Sequence, residues 1–123
     1  FAKQRDFVKC NPPLRTKEML EGLWQKLFEN KINFITTDHA PWIPELKDKA
    51  NIFDNKSGLP GLETLLPLLY HEGVTKRGLD LKTFANLIST NPAKRFNLYP
   101  HKGVLQVGSN ADITVLDPRG SFT

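Results

Sequence analysis

An α/β fold with a parallel sheet is what the sequence predicts, and three observations predict it. The order strand, loop, helix, strand runs through the first 36 residues, the pattern of a βαβ unit. The chain has 123 residues, one domain's worth. It is 39% hydrophobic and 24% charged, which places it among globular chains and away from collagen-like or disordered ones.

The elements follow in order. Residues 7–9 form a short strand candidate, ended by Asn11-Pro12-Pro13, because two prolines fix φ and remove donors. Thr16 can cap a helix running to about Glu29, with Leu20, Leu23, Trp24, Leu27 and Phe28 on one face. Residues 32–36, Ile-Asn-Phe-Ile-Thr, read as an apolar strand ending at Thr37-Asp38-His39. Residues 40–60 make a polar loop of unusual length with three prolines, and loops this long in compact domains are functional or disordered. Residues 61–72 read as a helix with Leu62, Leu65, Leu66 and Leu69 apolar, a kink at Pro67 and a stop at Gly73. Asp80 can cap a helix to about Thr90 that buries Leu81, Phe84, Leu87 and Ile88. Asn91-Pro92 reads as a cap followed by proline at the first helical position, opening a short helix through Phe96. Residues 103–107 and 111–116 read as two strands joined by Gly108-Ser109-Asn110, and two strands alone are marginal.

Charge and cysteine usage narrow the function classes. The net charge is +4, and Lys3, Arg5, Lys9, Arg15 and Lys17 against Asp6 place all of it in the first 17 residues. A nucleic-acid binder would show a basic face along the fold, so no nucleic-acid partner is expected. No run of 18 apolar residues exists, so no spanning helix and no membrane partner are expected. The single cysteine, Cys10, cannot close an internal disulfide, which suits a cytoplasmic protein. The opening Phe-Ala-Lys-Gln-Arg has neither an initiator Met nor a signal pattern, and the chain reads as a piece of something longer.

The stretch richest in chemistry is Ile35-Thr36-Thr37-Asp38-His39-Ala40-Pro41. A carboxylate at the C-terminal end of a parallel strand points into the mouth of an α/β barrel. It can hold a metal or take a proton from an attacking water. The structural alternative is that Asp38 caps the following turn and His39 packs, and spacing alone leaves both readings open.

Six motifs then occur in order: Lys9-Cys10-Asn11-Pro12-Pro13-Leu14-Arg15, Leu23-Trp24, Thr37-Asp38-His39-Ala40-Pro41, Gly58-Leu59-Pro60-Gly61-Leu62-Glu63-Thr64, Asn91-Pro92-Ala93-Lys94, and Gly108-Ser109-Asn110-Ala111-Asp112-Ile113-Thr114-Val115-Leu116-Asp117-Pro118. In this order the chain resembles the C-terminal part of a cyclic amidohydrolase of the dihydroorotase, allantoinase and hydantoinase group. The resemblance covers nearly the whole chain. It implies the C-terminal portion of a (β/α)₈ TIM barrel, a fold of ~250 residues, with strands of a small β-sandwich. Residues 1–99 would then be the last strands and helices of the incomplete barrel, and 100–123 the C-terminal sandwich strands.

The resemblance also implies metal-dependent hydrolysis of a small cyclic amide or ureide by a full-length homo-oligomeric protein, with two zinc ions whose other ligands lie upstream. Asp38 matches the aspartate that binds a metal and shuttles a proton to the leaving nitrogen. Asn11 matches a substrate-contacting asparagine, and Pro60 and Gly61 match backbone that lines the pocket. Trp42 stands where dihydroorotases carry a histidine that helps hold the substrate carboxylate; an indole cannot do that, but it can stack on a flat ring. Lys9-Cys10-x-Pro-Pro and Pro44-Glu45-Leu46-Lys47 look more like allantoinases, whereas 58–64 looks more like dihydroorotases. Arg15 is expected in a structural ion pair, Cys10 as a packed side chain, and His71 and His101, which match no ligand motif, in solvent. The segment alone is expected to be inactive. The alternative from another class is a non-catalytic homologue that keeps the barrel and serves as a scaffold or assembly partner.

Overall fold

Thr16 does what its position predicts. In the computed structural model, which describes residues 7–120, its hydroxyl accepts from the Met19 amide and opens helix α1, Lys17–Phe28. Of the predicted apolar face, Leu27 is buried and Trp24 half-buried, while Leu20, Leu23 and Phe28 are exposed. Single helical turns at Pro44–Leu46 and Ile52–Asp54 punctuate the long loop.

Helix α2, Leu65–Leu69, continues without a break into a π-helical stretch, Tyr70–Thr75. Two expectations are corrected here. Pro67 lies in the first turn of α2, where the N–H it lacks is one of the four without an intrahelical acceptor. Gly73 does not stop the helix. It is buried because the Trp24 ring and Leu79 lie against it: a β-carbon there would meet Leu79 Cδ2 at 3.2 Å and Trp24 Cζ3 at 3.4 Å. The chain turns instead at Gly78, whose φ of +71° is open to glycine at no steric cost.

Asp80 caps helix α3, Leu81–Ala85, accepting from the Thr83 amide at 2.9 Å, and α3 passes through a π-helical stretch, Asn86–Thr90, into α4, Asn91–Arg95. Asn91 is inside the helical run and is not its cap; its amide donates to the Asn33 carbonyl at 2.7 Å. Phe84 and Leu87 are buried as predicted, with Ile88 half-buried, but Leu81 faces outward. Leu27, Leu69, Leu79, Phe84 and Leu87 make one core, with Trp24, Ile35, Tyr70 and Ile88 packed on its edge. Tyr70 meets Phe84 edge to face at 5.7 Å. Arg77 ties α1 to the end of α2: it lies 4.6 Å over the Trp24 ring, and its Nη1 and Nη2 donate to Glu72 at 2.8 Å and Glu21 at 2.9 Å.

The predicted strands are the main correction. Among the described residues no β-ladder forms at 7–9, 32–36, 103–107 or 111–116. A strand is stabilised by partners on its edges, and these segments do not find them in one another. Their peptide groups bond elsewhere. The Ile35 amide donates to the Leu87 carbonyl at 3.0 Å, so 32–36 is held against the π-helical stretch and α4. At the other end the apolar residues stay wet: Leu105 is 79% exposed, Val107 104% and Val115 90%. The turn between these two segments is present, with Gly108 at φ +92° and the Ser109 amide on the Gln106 carbonyl at 3.1 Å. Lys102 and Asp112 pair across it. No helix among the described residues is long and apolar enough to cross a membrane.

Candidate active site

Asp38 closes the 32–38 segment with φ +47°, a left-handed conformation that aspartate tolerates better than most residues. Its side chain is exposed. The next residue locks the turn. His39 Nδ1 accepts from the Gly61 amide at 3.0 Å and the Leu62 amide at 3.1 Å. An acceptor at Nδ1 places the imidazole proton on Nε2. His39 is therefore neither buried packing nor a metal donor through Nδ1.

Two further contacts bring the same pair of loops together. The Ala40 amide donates to the Leu59 carbonyl at 3.0 Å. Gly61 lies so close to Thr37 that a β-carbon would stand 3.3 Å from Thr37 Cβ and 3.4 Å from its carbonyl oxygen. Gly58, at φ +128°, sits closer still: a β-carbon there would meet Ala40 Cβ at 2.4 Å. Glycine is required at this position for both its backbone angle and its space. Asp38, Pro60 and Gly61 thus belong to one wall.

Trp42 completes that wall. Its indole N–H donates to the Ser57 carbonyl at 2.9 Å, and Lys56 Nζ lies 5.6 Å from its ring centroid. The donor is engaged within the protein, so the indole offers the face away from Lys56. Asn11 is exposed, and the segment carrying it is fastened to the same loop through Lys9, whose carbonyl accepts from the Gly58 amide at 3.0 Å. Cys10 is half-buried with its thiol donating to the Pro12 carbonyl at 3.4 Å, in keeping with a packed side chain. Arg15 makes no ion pair among the described residues; its Nη1 donates to the Pro13 carbonyl at 2.7 Å. His71 and His101 are exposed.

Sequence reasoning passed over two lysines that hold this wall. Lys47 is buried, and its Nζ donates to the carbonyls of Gly58 at 2.5 Å, Lys9 at 3.0 Å and Lys56 at 3.4 Å. Lys9 Nζ donates to the carbonyls of Asn55 at 2.7 Å, Ile52 at 2.8 Å and Phe53 at 3.2 Å. Both residues stood inside quoted motifs, but their partners are backbone carbonyls up to 46 positions away, which no local pattern reveals. Asn55 is also buried; its Oδ1 accepts from the Lys49 amide at 2.7 Å.

As a metal centre the site is incomplete among the described residues. No group of three or more His, Cys, Asp or Glu comes together there. A catalytic zinc takes about three protein ligands. The exposed Asp38 carboxylate fits one such position, and the remaining donors would have to come from outside these residues.

Comparison with known proteins gives the frame for this geometry. The amidohydrolase family matches residues 10–122. An allantoinase of Bacillus licheniformis is 45% identical over 109 residues, covering 89% of this chain and 24% of that protein. An allantoinase of Enterococcus faecalis is 39% identical over 115 residues, covering 94% of this chain and 25% of its own. The chain therefore spans about a quarter of the length of the curated relatives it matches. Among solved structures, a D-hydantoinase (dihydropyrimidinase) from a Thermus species superposes with a TM-score of 0.81 at 38% identity, over 85% of this chain and 23% of that one. A dihydropyrimidinase from Brevibacillus agri gives 0.79 at 32% identity, again over 85% and 23%.

Proposed function

This chain belongs to the amidohydrolase family, and from that premise we propose that the intact protein hydrolyses a C–N bond of a small cyclic amide or ureide. The similarity to proteins named allantoinase and hydantoinase supports the reaction class. The observation that carries the reading at the level of residues is the wall formed by Asp38, Pro60, Gly61 and Trp42, where an exposed carboxylate stands beside a tightly packed backbone loop. In this reading residues 1–99 complete a (β/α)₈ barrel with the rest of the protein, and 100–123 supply strands to a sandwich. The wet faces of Val107 and Val115 are what such strands look like before their partners are added.

A divalent metal, two zinc ions in this reading, would make water acidic enough to attack near neutral pH and would polarise the ring carbonyl. Asp38 would supply one ligand. Its carboxylate takes the proton of the attacking water and passes it to the leaving ring nitrogen, so that nitrogen departs as a neutral amine or amide. The loop contributes binding. The amides of Gly61 and Leu62 are engaged by His39 and the Gly61 carbonyl by the Leu65 amide. The Pro60 carbonyl has no hydrogen-bond partner among the described residues and can accept from a ring N–H. Cyclic ureides present such donors. Asn11 contributes a second polar contact from the opposite segment, and the Trp42 ring closes over the flat heterocycle. With an indole where dihydroorotases carry a carboxylate-holding histidine, the wall suits an uncharged ring better than dihydroorotate.

The test is hydrolysis of hydantoin, allantoin and dihydroorotate by the metal-loaded intact protein, with Asp38→Asn alongside. Turnover of a neutral ring that collapses in the variant supports the reading. A metal-replete protein that opens none of these rings refutes it and favours the scaffold alternative.

A further inference from the structure

Among the described residues Lys47 is the one charged side chain that is buried. It is 5% exposed, and among the described residues no carboxylate pairs with it. Its three partners are carbonyl oxygens, those of Gly58, Lys9 and Lys56. An ammonium has three donors and no acceptor, so three carbonyls satisfy it completely. A buried cation without a counter-charge is retained only where its hydrogen bonds replace water fully.

Its partners lie on the two segments that matter for binding. The Gly58 carbonyl is two residues from Pro60 and three from Gly61, and the Lys9 carbonyl is two residues from Asn11. The Gly58 amide bonds the same Lys9 carbonyl, so Lys9, Lys47 and Gly58 close a small ring of contacts. Lys9 then extends the ring with its own ammonium, gathering the carbonyls of Ile52, Phe53 and Asn55 under the loop. The loop has no helix of more than a single turn and no ladder to give it a shape. The two ammonium groups take that part.

We propose that Lys47 is a positioning residue that sets the width of the ring-binding pocket by fixing the Asn11 segment against the Gly58–Gly61 backbone, and so determines which ring substituents are accepted. This rests on the site being a cyclic-amide hydrolase. Lys47 touches neither Asp38 nor any reacting atom in the structure, so its loss should alter binding more than the chemical step. Each hydrogen bond to a charged group contributes about 1.5–3 kcal/mol. Losing the equivalent of one such bond from substrate binding corresponds to roughly a tenfold to hundredfold rise in KM.

The experiment uses the intact metal-loaded protein with hydantoin and a bulky 5-substituted hydantoin. Lys47→Met keeps an unbranched side chain, one atom shorter, and removes the donors. It should raise KM by roughly tenfold to hundredfold with kcat within about threefold, and shrink the preference between the two rings. Lys47→Arg should move KM in the same direction by less, since a planar guanidinium cannot address three carbonyls around one nitrogen. If Lys47→Met does not fold, Lys47→Arg decides. Unchanged KM and preference in a folded variant, or a fall in kcat alone, overturns the proposal. Amide exchange gives a readout independent of turnover: the Gly58 amide should exchange faster in Lys47→Met, and unchanged exchange overturns the positioning role. Wild-type protein that opens no ring refutes the hydrolase reading instead, and exchange still tells the two failures apart.

Discussion

Replacing glycine by alanine at three places should have three different outcomes, and the structure sets the size of each. Gly22 sits inside α1 with nothing within 4 Å of its added β-carbon. Gly22→Ala should therefore stabilise by about 0.8–1 kcal/mol through helix propensity alone. Gly78 has equal space but a φ of +71°, so Gly78→Ala should cost about 1–2 kcal/mol for the left-handed backbone. Gly58 combines a φ of +128° with a β-carbon 2.4 Å from Ala40 Cβ. The backbone region costs about 1–3 kcal/mol. Overpacking adds about 1–3 kcal/mol, because Ala40 is held by its own bond to Leu59 and cannot retreat without breaking it. Gly58→Ala should thus lose roughly 2–6 kcal/mol in all. Denaturant midpoints of the three variants of the intact protein, measured side by side, are the assay. If Gly58→Ala were no worse than Gly78→Ala, the close approach of the two loops would be wrong, and with it the wall of the candidate site.

The other predictions are shorter. Asp38→Asn should lower turnover by about 10²–10⁴-fold with a modest loss of bound metal and little change in melting temperature; unchanged turnover in a metal-loaded variant would leave Asp38 as a turn residue only. Hydantoin or allantoin should be opened in preference to dihydroorotate, and dihydroorotate hydrolysis that is robust and survives Trp42→Ala would show that Trp42 carries no specificity. Glu72 is held down from 4.5 to about 2, first by the hydrogen bond from Lys76 and then by that from Arg77. Its folded pKa lies below the unfolded one, so its contribution is full above about 4.5 and is lost as pH falls toward 2. Melting curves taken across that window should fall less steeply for Glu72→Gln than for wild type, and equal slopes would show that the Glu72 pairing with Lys76 and Arg77 has no part in acid unfolding.

What could be read in advance divides along a physical line. Thr16 and Asp80 were legible because a cap and its amide lie three residues apart. The Gly108 turn was legible for the same local reason. Gly73 misled because its small size serves the Trp24 ring across the molecule and not the end of a helix. Asn91 looked like a cap until its tertiary partner, the Asn33 carbonyl, was visible. The strand segments have strand-like composition, but a ladder needs edges that composition cannot supply. At the site, the Asp38 and Gly58–Gly61 motifs could be picked out as residues, whereas their adjacency depends on His39, Lys9 and Lys47 reaching distant backbone. A side chain that bonds main-chain oxygen leaves no complementary letter elsewhere in the sequence to be paired with it.

The wet valines near the C-terminus carry a consequence for anyone handling this stretch of polypeptide by itself. Leu27, Leu69, Phe84 and Leu87 would still collapse together, so the piece would look partly folded in solution. Leu105, Val107, Ile113 and Val115 would meanwhile present β-prone, hydrophobic sequence to any neighbouring copy, relieved by the charges of Lys102, Asp112, Asp117 and Arg119. Such a polypeptide should cloud on concentration and clear when a partner that covers these apolar side chains is supplied, which makes turbidity a simple gauge of whether they are covered.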